Sequence, residues 1–346
     1  MKTYFSTFIT GTQEIVKEFL AKRGIKIKLL LDGLVVYESD YPEREIRNFH
    51  IFNNTYFLLQ SFSNLVPNAK SLEKILSVVS HNKNLQRQIA INLPSRRRNF
   101  KIVSSLENSM VPVSRELLRK LELIILQLPS TRLNIKKPDL EFWALLRREG
   151  HGFFGIRVTY PFRHENYREK GELRKEIPYI LSFVSKPNPK DIVLDPFAGY
   201  GSIPIERAAS FPYKEIIAVE KEDDLISKLK HKVKASGKKI EVIRGNALAL
   251  SGIQNNFIDK IISDPPWGEY KEAPDLEKFY ESMLLEFDRI LKREGVIVLL
   301  IGAKDIFENV LQNKFINIFQ LQKKYDILVS GKKAAIYKLV RNYENK

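Results

Sequence analysis

The chain has 346 residues, enough for two or three domains that each bury a core, and its 44% hydrophobic, 28% charged and 11% aromatic content is that of a soluble globular protein. The absence of cysteine excludes disulfides, thiolate metal sites and cysteine nucleophiles, including ring-carbon chemistry on pyrimidines that runs through a cysteine adduct. The net charge of +16 asks for a polyanionic partner, and its distribution is uneven: 26 Lys+Arg face 15 Asp+Glu in residues 1–165, against 31 and 26 in residues 166–346. No metal is expected, because His50, His81, His151, His164 and His231 lack ligand spacing. No apolar run approaches about 18 residues and the first residues lack a secretory plan, so the expectation is a cytoplasmic protein with no membrane partner.

Residues 1–62 read as a small unit of β-α-β-β-α-β order. Tyr4 to Thr10 is a short strand, and Gly11 to Arg23 a helix with Ile15, Phe19 and Leu20 on one face, ended at Gly24. Ile25 to Leu31 and Leu34 to Glu38 flank Asp32-Gly33, a hairpin signal. A helix over Glu43 to Phe49 and a strand over Thr55 to Ser61 complete a ferredoxin-like arrangement, which carries no function by itself.

Residues 63–163 form a second α+β unit. Helices over Ser71 to Ser80 and around Asn84 to Leu93 precede Arg96, Arg97 and Arg98, then a strand over Phe100 to Ser104. An amphipathic helix runs from Ser114 to Leu128, and a hairpin turning at Glu149-Gly-His-Gly152 closes the segment. The three adjacent arginines, with Lys101, Arg147, Arg148 and then Arg163, are candidate phosphate contacts.

Residues 164–187 connect the halves through a charged stretch and a helix over Glu172 to Phe183. Residues 188–346 then alternate strands and helices, which predicts a mostly parallel, Rossmann-like sheet covered on both faces. Two closing strands joined at Gly331-Lys332 add an antiparallel hairpin at one edge.

Ligands of open α/β sheets bind beyond the carboxyl ends of the strands, and four successive strand ends here carry polar groups. The first opens into Asp195-Pro-Phe-Ala-Gly-Tyr-Gly-Ser202, where Gly199 and Gly201 let backbone approach a ligand ahead of a helix. The second bears Glu220, suited to a ribose diol, and the third Asn246 and Ala247, where an amide can read an adenine edge. A dinucleotide-binding fold would read much the same at the first two. The fourth is Asp264-Pro265-Pro266-Trp267: two prolines stop the strand, leaving a carboxylate, a carbonyl and an indole at the rim of the sheet.

DPFAGYGS, VEK, RGNA and DPPW, in that order, resemble the S-adenosylmethionine-dependent amino-methyltransferases with an Asn/Asp-Pro-Pro-aromatic motif. With the N-terminal unit, PDLEFWALLRREGHGFFGIRVTY and GELRKEIPYILSFVSKP, the whole chain is similar to the THUMP-containing RNA guanine-N2 methyltransferases. The resemblance implies a ferredoxin-like domain (1–62), a THUMP RNA-binding domain (63–163), a connecting segment (164–187) and a Rossmann-fold methyltransferase domain (188–346).

It implies that Asp195, Phe197, Gly199 and Gly201, with Ser202, hold the methionine side of S-adenosylmethionine. Glu220 would hold its ribose, and Asn246 with Ala247 its adenine. Asp264, Pro265, Pro266 and Trp267 would present the target base. Trp267 stands where Tyr or Phe is commoner, Asn246 where an acidic residue is frequent, and Ser202 where Thr is frequent.

The implied activity is methylation of a guanosine N2 in tRNA or another structured RNA, with the basic N-terminal half docking it. A monomer is compatible with this, and an activator subunit is left open. Adenine-N6 methylation of RNA or DNA, protein glutamine methylation, and an RNA-binding or assembly protein without activity are the alternatives.

Overall fold

The computed structural model describes residues 1–92, 98–159, 169, 171–268, 275–329 and 331–342. Two compact units divide the chain: Met1–Thr7 with Leu20–Arg163, and Phe8–Phe19 with His164–Lys346.

The first unit is built on one nine-stranded sheet. Its strands are β1 (Lys2–Thr7), β2 (Lys26–Leu31), β3 (Leu34–Ser39), β4 (Asn54–Phe62), β5 (Arg98–Leu106), β6 (Ser109–Met110), β7 (Thr131–Leu133), β8 (Leu140–Leu146) and β9 (Gly152–Arg157). The spatial order is β2-β3-β1-β4-β9-β8-β5-β6, with β7 beside β5, so the sheet runs unbroken through both N-terminal segments.

The four strands of residues 1–62 pair antiparallel in the order the β-α-β-β-α-β reading requires, and Leu31 faces Leu34 across the Asp32-Gly33 turn. Cross-strand pairing sets this register: Phe5 lies opposite Tyr56 on β4, with the rings stacked at 4.6 Å between centroids.

Among the described residues, five helices belong to the N-terminal half: α1 (Gln13–Ala21), α2 (Glu43–Ile46), α3 (Ala69–His81), α4 (Lys83–Asn92) and α5 (Arg115–Leu126). Asn68 caps α3 by accepting from the Ser71 amide. The stripe Leu72, Ile75, Leu76 and Val79 then joins Leu121 and Ile125 of α5 in one core with Phe100, Phe142 and Phe154 of the sheet.

The second unit comprises α6 (Glu176–Val184), β10 (Ile192–Asp195), α7 (Ser202–Ser210), β11 (Glu215–Glu220), α8 (Asp223–Ser236), β12 (Glu241–Arg244), β13 (Ile258–Ser263), α9 (Leu276–Ile290), β14 (Leu291–Ile301), α10 (Lys304–Lys314), β15 (Phe319–Val329) and β16 (Lys332–Arg341), together with residues 8–19. Its sheet has the order β12-β11-β10-β13-β14-β16-β15; the first five strands are parallel and the last two antiparallel, as the alternation and the closing hairpin predict.

The central strands read as continuous apolar runs because both faces are covered. Tyr280, Met283, Leu284 and Phe287 on one stripe of α9 fill the space beneath them.

The helix expected from Glu172 begins only at Glu176. Starting there puts Pro178 in the first turn, where its missing N–H costs nothing. Residues 172–174 are thereby left as irregular chain. Helix α10 has no counterpart in the sequence reading.

The chain runs β10, β11 and β12 to one side and returns to place β13 on the other side of β10, so strand order reverses between β10 and β13. The carboxyl ends of these two strands end in Asp195 and at Asp264, and a topological switch of this kind opens a crevice there.

Candidate active site

Beyond those strand ends lies a cavity of about 270 Å³. Asp195, Phe197, Gly199, Ser202 and Asp264 line it, which brings five of the sequence-predicted residues together. Gly171, Glu172, Leu173, Ala198, Tyr200, Ile203 and Leu225 complete the lining and were not anticipated.

Asp195 is buried at 1% exposure. Its Oδ1 accepts from Ser263 Oγ at 2.5 Å and from the Phe197 amide at 3.2 Å, whereas Oδ2 has no partner among the described residues. Burial pushes its carboxyl up to about 7, against the two donors and with help from the nearby Glu220 charge. A buried carboxylate oxygen left unpaired on a cavity wall is suited to a donor brought by a ligand, and an amino acid's ammonium fits that need.

Gly201 makes the following turn possible. It adopts φ 85°, caps α7, and a Cβ there would lie 2.6 Å from Leu229 Cδ1. Its place is behind the cavity wall rather than on it.

Glu220 is turned inward and ties the loop together. Its Oε2 accepts from the Gly199 amide at 2.8 Å, and its Oε1 from Lys221 at 2.7 Å and Glu222 at 3.0 Å. Asn246 is exposed, and its Oδ1 accepts from the Leu248 amide at 3.1 Å; Ala247 is buried.

The motif after β13 is held from three sides. The Trp267 indole donates from Nε1 to Asp264 Oδ1 at 2.9 Å. It is the Pro266 carbonyl, not that of Pro265, that takes the Tyr280 hydroxyl, at 3.2 Å. Pro265 is buried and Pro266 exposed. The indole lies against the backbone just past β14, where a Cβ on Gly302 would be 2.3 Å from Cε3 of Trp267.

Burial raises the Asp264 carboxyl to about 7; the Trp267 bond opposes the rise and the Asp195 charge adds to it. Tyr280 and Gly302 went unnoticed in the sequence, since a tyrosine in an apolar helix stripe and a glycine after a strand have ordinary structural explanations.

The rim is ionic. Glu172 pairs with Lys232 at 2.7 Å and Glu169 with Lys228 at 3.6 Å, while both lysines sit over the Tyr200 ring at 5.1 and 5.3 Å. The irregular segment ahead of α6 is thus fastened to α8 beside the cavity.

The anticipated phosphate contacts separate. Arg96, Arg97 and Arg163 lie outside the described residues, as does the side chain of Arg98. Lys101 pairs with buried Glu141 at 2.9 Å. Arg147 is buried, paired with Glu107 at 2.8 Å and donating to the Asp32 carbonyl at 2.6 Å, whereas Arg148 is exposed. Among the described residues no cluster could hold a metal ion, and no helix is long and apolar enough to cross a membrane.

A parallel sheet with an antiparallel edge pair, a glycine turn beneath a buried carboxylate and a second carboxylate ahead of two prolines define a Rossmann-like, nucleoside-cofactor type of domain. Residues 163–329, just under half of the chain, match the family described as UPF0020: RMKL-like, methyltransferase domain.

Among curated proteins, the U6 snRNA (guanine-N(2))-methyltransferase THUMPD2 of Bos taurus is 28% identical over 175 residues, covering 49% of this chain and 34% of that protein. The tRNA (guanine(6)-N(2))-methyltransferase THUMP3 of Bos taurus is 26% identical over 183 residues, covering 49% and 36%. The matched stretch is therefore only about a third of these relatives' length. Among solved structures, TrmN from Thermus thermophilus aligns over 99% of this chain and 100% of its own with a TM-score of 0.76 at 19% identity, a likeness of fold along the whole chain.

Proposed function

We propose that the protein is an S-adenosylmethionine-dependent RNA methyltransferase that methylates the exocyclic N2 of a guanosine, with tRNA as the substrate. The observation that carries this reading is Asp264. A half-buried carboxylate at the switch point of a methyltransferase domain shares one cavity with Asp195 and sits beside an aromatic ring. The two curated relatives named for guanine-N2 chemistry support the choice of base, and one of them the choice of tRNA.

The cavity lining suits the amino-acid end of the cofactor, while Glu220, Asn246 and Ala247 are not part of that lining. The unpaired Oδ2 of Asp195 would take the ammonium of its amino-acid part, with Phe197, Gly199 and Ser202 around it; Glu220, Asn246 and Ala247 remain the proposed ribose and adenine side. When bound, S-adenosylmethionine supplies an electrophilic methyl on a sulfonium.

A guanine amine is a poor nucleophile because its lone pair is delocalised into the ring. Asp264 and the Pro265 carbonyl accept its two N–H bonds, turning the lone pair toward the methyl. Once it carried the methyl that the sulfonium would supply, the nitrogen would give up one proton. A carboxyl held near neutrality is matched to take that proton. Alignment of donor and acceptor supplies much of the acceleration. Trp267 holds the extruded base flat, and stacking of this kind offsets part of the cost of extruding it.

Residues 1–62 and the THUMP segment 63–163 dock the RNA in the cytoplasm, with Arg148 and the cluster at Arg96, Arg97 and Arg98 on phosphates. Methylation of unmodified tRNA, U6 snRNA and ribosomal RNA with labelled cofactor, followed by nucleoside mass spectrometry, tests the reading. N2-methylguanosine in tRNA is expected. N6-methyladenosine overturns the base, label confined to another RNA overturns the substrate, and no label on any RNA overturns the activity.

A further inference from the structure

One motif residue does something that stacking does not explain. A phenyl ring at position 267 would stack on a base as an indole does, yet would have no donor for Asp264. Here the indole nitrogen is tied to Asp264 Oδ1 at 2.9 Å, so one of the carboxylate's two oxygens is already committed.

The indole keeps that position by lying on bare backbone. A Cβ at residue 302 would come within 2.3 Å of Cε3, 2.4 Å of Cδ2 and 2.7 Å of Cγ, so any larger residue there must lift the ring. The φ of Gly302 is not in the left-handed region, so this glycine is required by proximity rather than by its own conformation.

We propose that Gly302 and Trp267 form an interlocked pair that sets the target-base pocket: Gly302 is a positioning residue that seats the indole, and Trp267 is a positioning residue that fixes which Asp264 oxygen meets the amine.

Three consequences follow from the geometry. With Oδ1 held by the indole, Oδ2 is the acceptor presented to the substrate. One face of the indole is taken by the backbone at Gly302, so a base can stack only on the other. The height of that stacking face and the direction of the free oxygen are coupled, because both depend on the same seat. The inference rests on the methyltransferase reading for its consequence in catalysis, but the seat and the tie can be tested in the free protein.

Among the described residues, three groups bear on the Asp264 carboxyl. Asp195 adds like charge from β10, the Tyr280 hydroxyl lies nearby on α9, and Trp267 donates the opposing hydrogen bond. Loss of the Trp267 donor removes a group that favours the ionised form, so the Asp264 carboxyl must titrate at higher pH.

The test is a double-mutant cycle on the full chain with Trp267→Phe, Gly302→Ala and the pair, joined to NMR of the free protein. The chain has two tryptophans, Trp143 and Trp267, so it gives two side-chain indole N–H resonances, and Trp267→Phe assigns them.

In the free wild type, the Trp267 N–H signal is expected to move through a titration near pH 7, to lose that titration in Asp264→Asn, and to shift at all pH values in Gly302→Ala. An indole signal that ignores Asp264→Asn overturns the tie, and one that ignores Gly302→Ala overturns the seat.

In the loaded enzyme, Trp267→Phe is expected to lower kcat roughly ten- to hundredfold, the range for losing a hydrogen bond to a charged group, and to move the acid limb of the kcat profile to higher pH. Cofactor affinity should change less than twofold. Gly302→Ala should cost a similar factor alone and little more on top of Trp267→Phe, since the smaller ring no longer needs the seat. Additive losses overturn the coupling. If the wild type labels a base other than guanine, the chemical reading fails while the NMR arm still decides the proposal.

Discussion

Ser263 Oγ donates a 2.5 Å hydrogen bond to Asp195 Oδ1 and so joins the carboxyl ends of β13 and β10, the two strands between which the sheet reverses order. Both groups are buried, and the bond leaves Asp195 Oδ2 free to meet a ligand across the cavity wall. The proposed cofactor side and the proposed base side of the cavity are therefore linked through one hydroxyl.

Ser263→Ala removes a donor that favours ionised Asp195, so its carboxyl titrates at still higher pH. S-adenosylmethionine affinity at pH 7 should fall roughly tenfold, about the value of one hydrogen bond to a charged group. The loss should be larger at pH 6 than at pH 8.5, as read by calorimetry across that range.

Stability of the unliganded protein should carry the opposite mark of the two raised carboxyls. A carboxyl whose folded pKa lies above its unfolded value stabilises most when protonated, and that contribution is lost as pH rises from about 4 through about 7. Asp264→Asn removes a half-buried charge, so it should raise Tm at pH 8 and change it little at pH 4. Differential scanning calorimetry at the two pH values reads the difference.

Arg207 tests a part of the fold remote from chemistry. Fully buried, it donates to Asp191 Oδ2 at 3.2 Å and to the Pro212 carbonyl at 2.8 Å. Arg207→Ala takes the guanidinium from the buried Asp191 carboxylate, which keeps the Asn188 amide at 2.7 Å, and should cost about 3 kcal/mol in chemical denaturation. Removing both charges in Arg207→Met with Asp191→Asn should cost much less.

Adjacent arginines should part company in RNA binding. Arg148→Ala should weaken tRNA binding and reduce the salt slope by about one, with Tm unchanged. Arg147→Ala breaks the Glu107 pair and the bond to the Asp32 carbonyl, so its effect should appear in Tm. Filter binding at several salt concentrations, with thermal melts, separates the two.

That pair also shows where the sequence stops being informative. Arg147 and Arg148 are the same residue type in the same charged stretch, and only the position of Arg147 beside Glu107 and Asp32 decides which one is buried. The second-unit sheet was legible because buried parallel strands advertise themselves as apolar runs, and Asp195 and Asp264 because each interrupts such a run at its end.

Ser263 was not legible as Asp195's partner. It is one small polar residue in a strand, and the two meet only because β10 pairs with β13, with Leu194 opposite Ile261. Glu172 and Leu173 were hidden for a related reason: a sequence favouring helix was read as helix, whereas Pro178 sets the start of α6 further on and leaves these residues for the cavity wall. Gly302 gave no signal at all, since its significance is the ring that lies upon it.

The most direct test of the central claim compares wild type with Asp264→Ala for cofactor binding by calorimetry and for transfer of labelled methyl to unmodified tRNA, with the product identified as a nucleoside. The account predicts retained S-adenosylmethionine binding, N2-methylguanosine from the wild type, and a loss of transfer of at least a hundredfold in the variant, on the order expected for removing a positioned catalytic acceptor. Near-normal methyl transfer by a folded Asp264→Ala protein would contradict it.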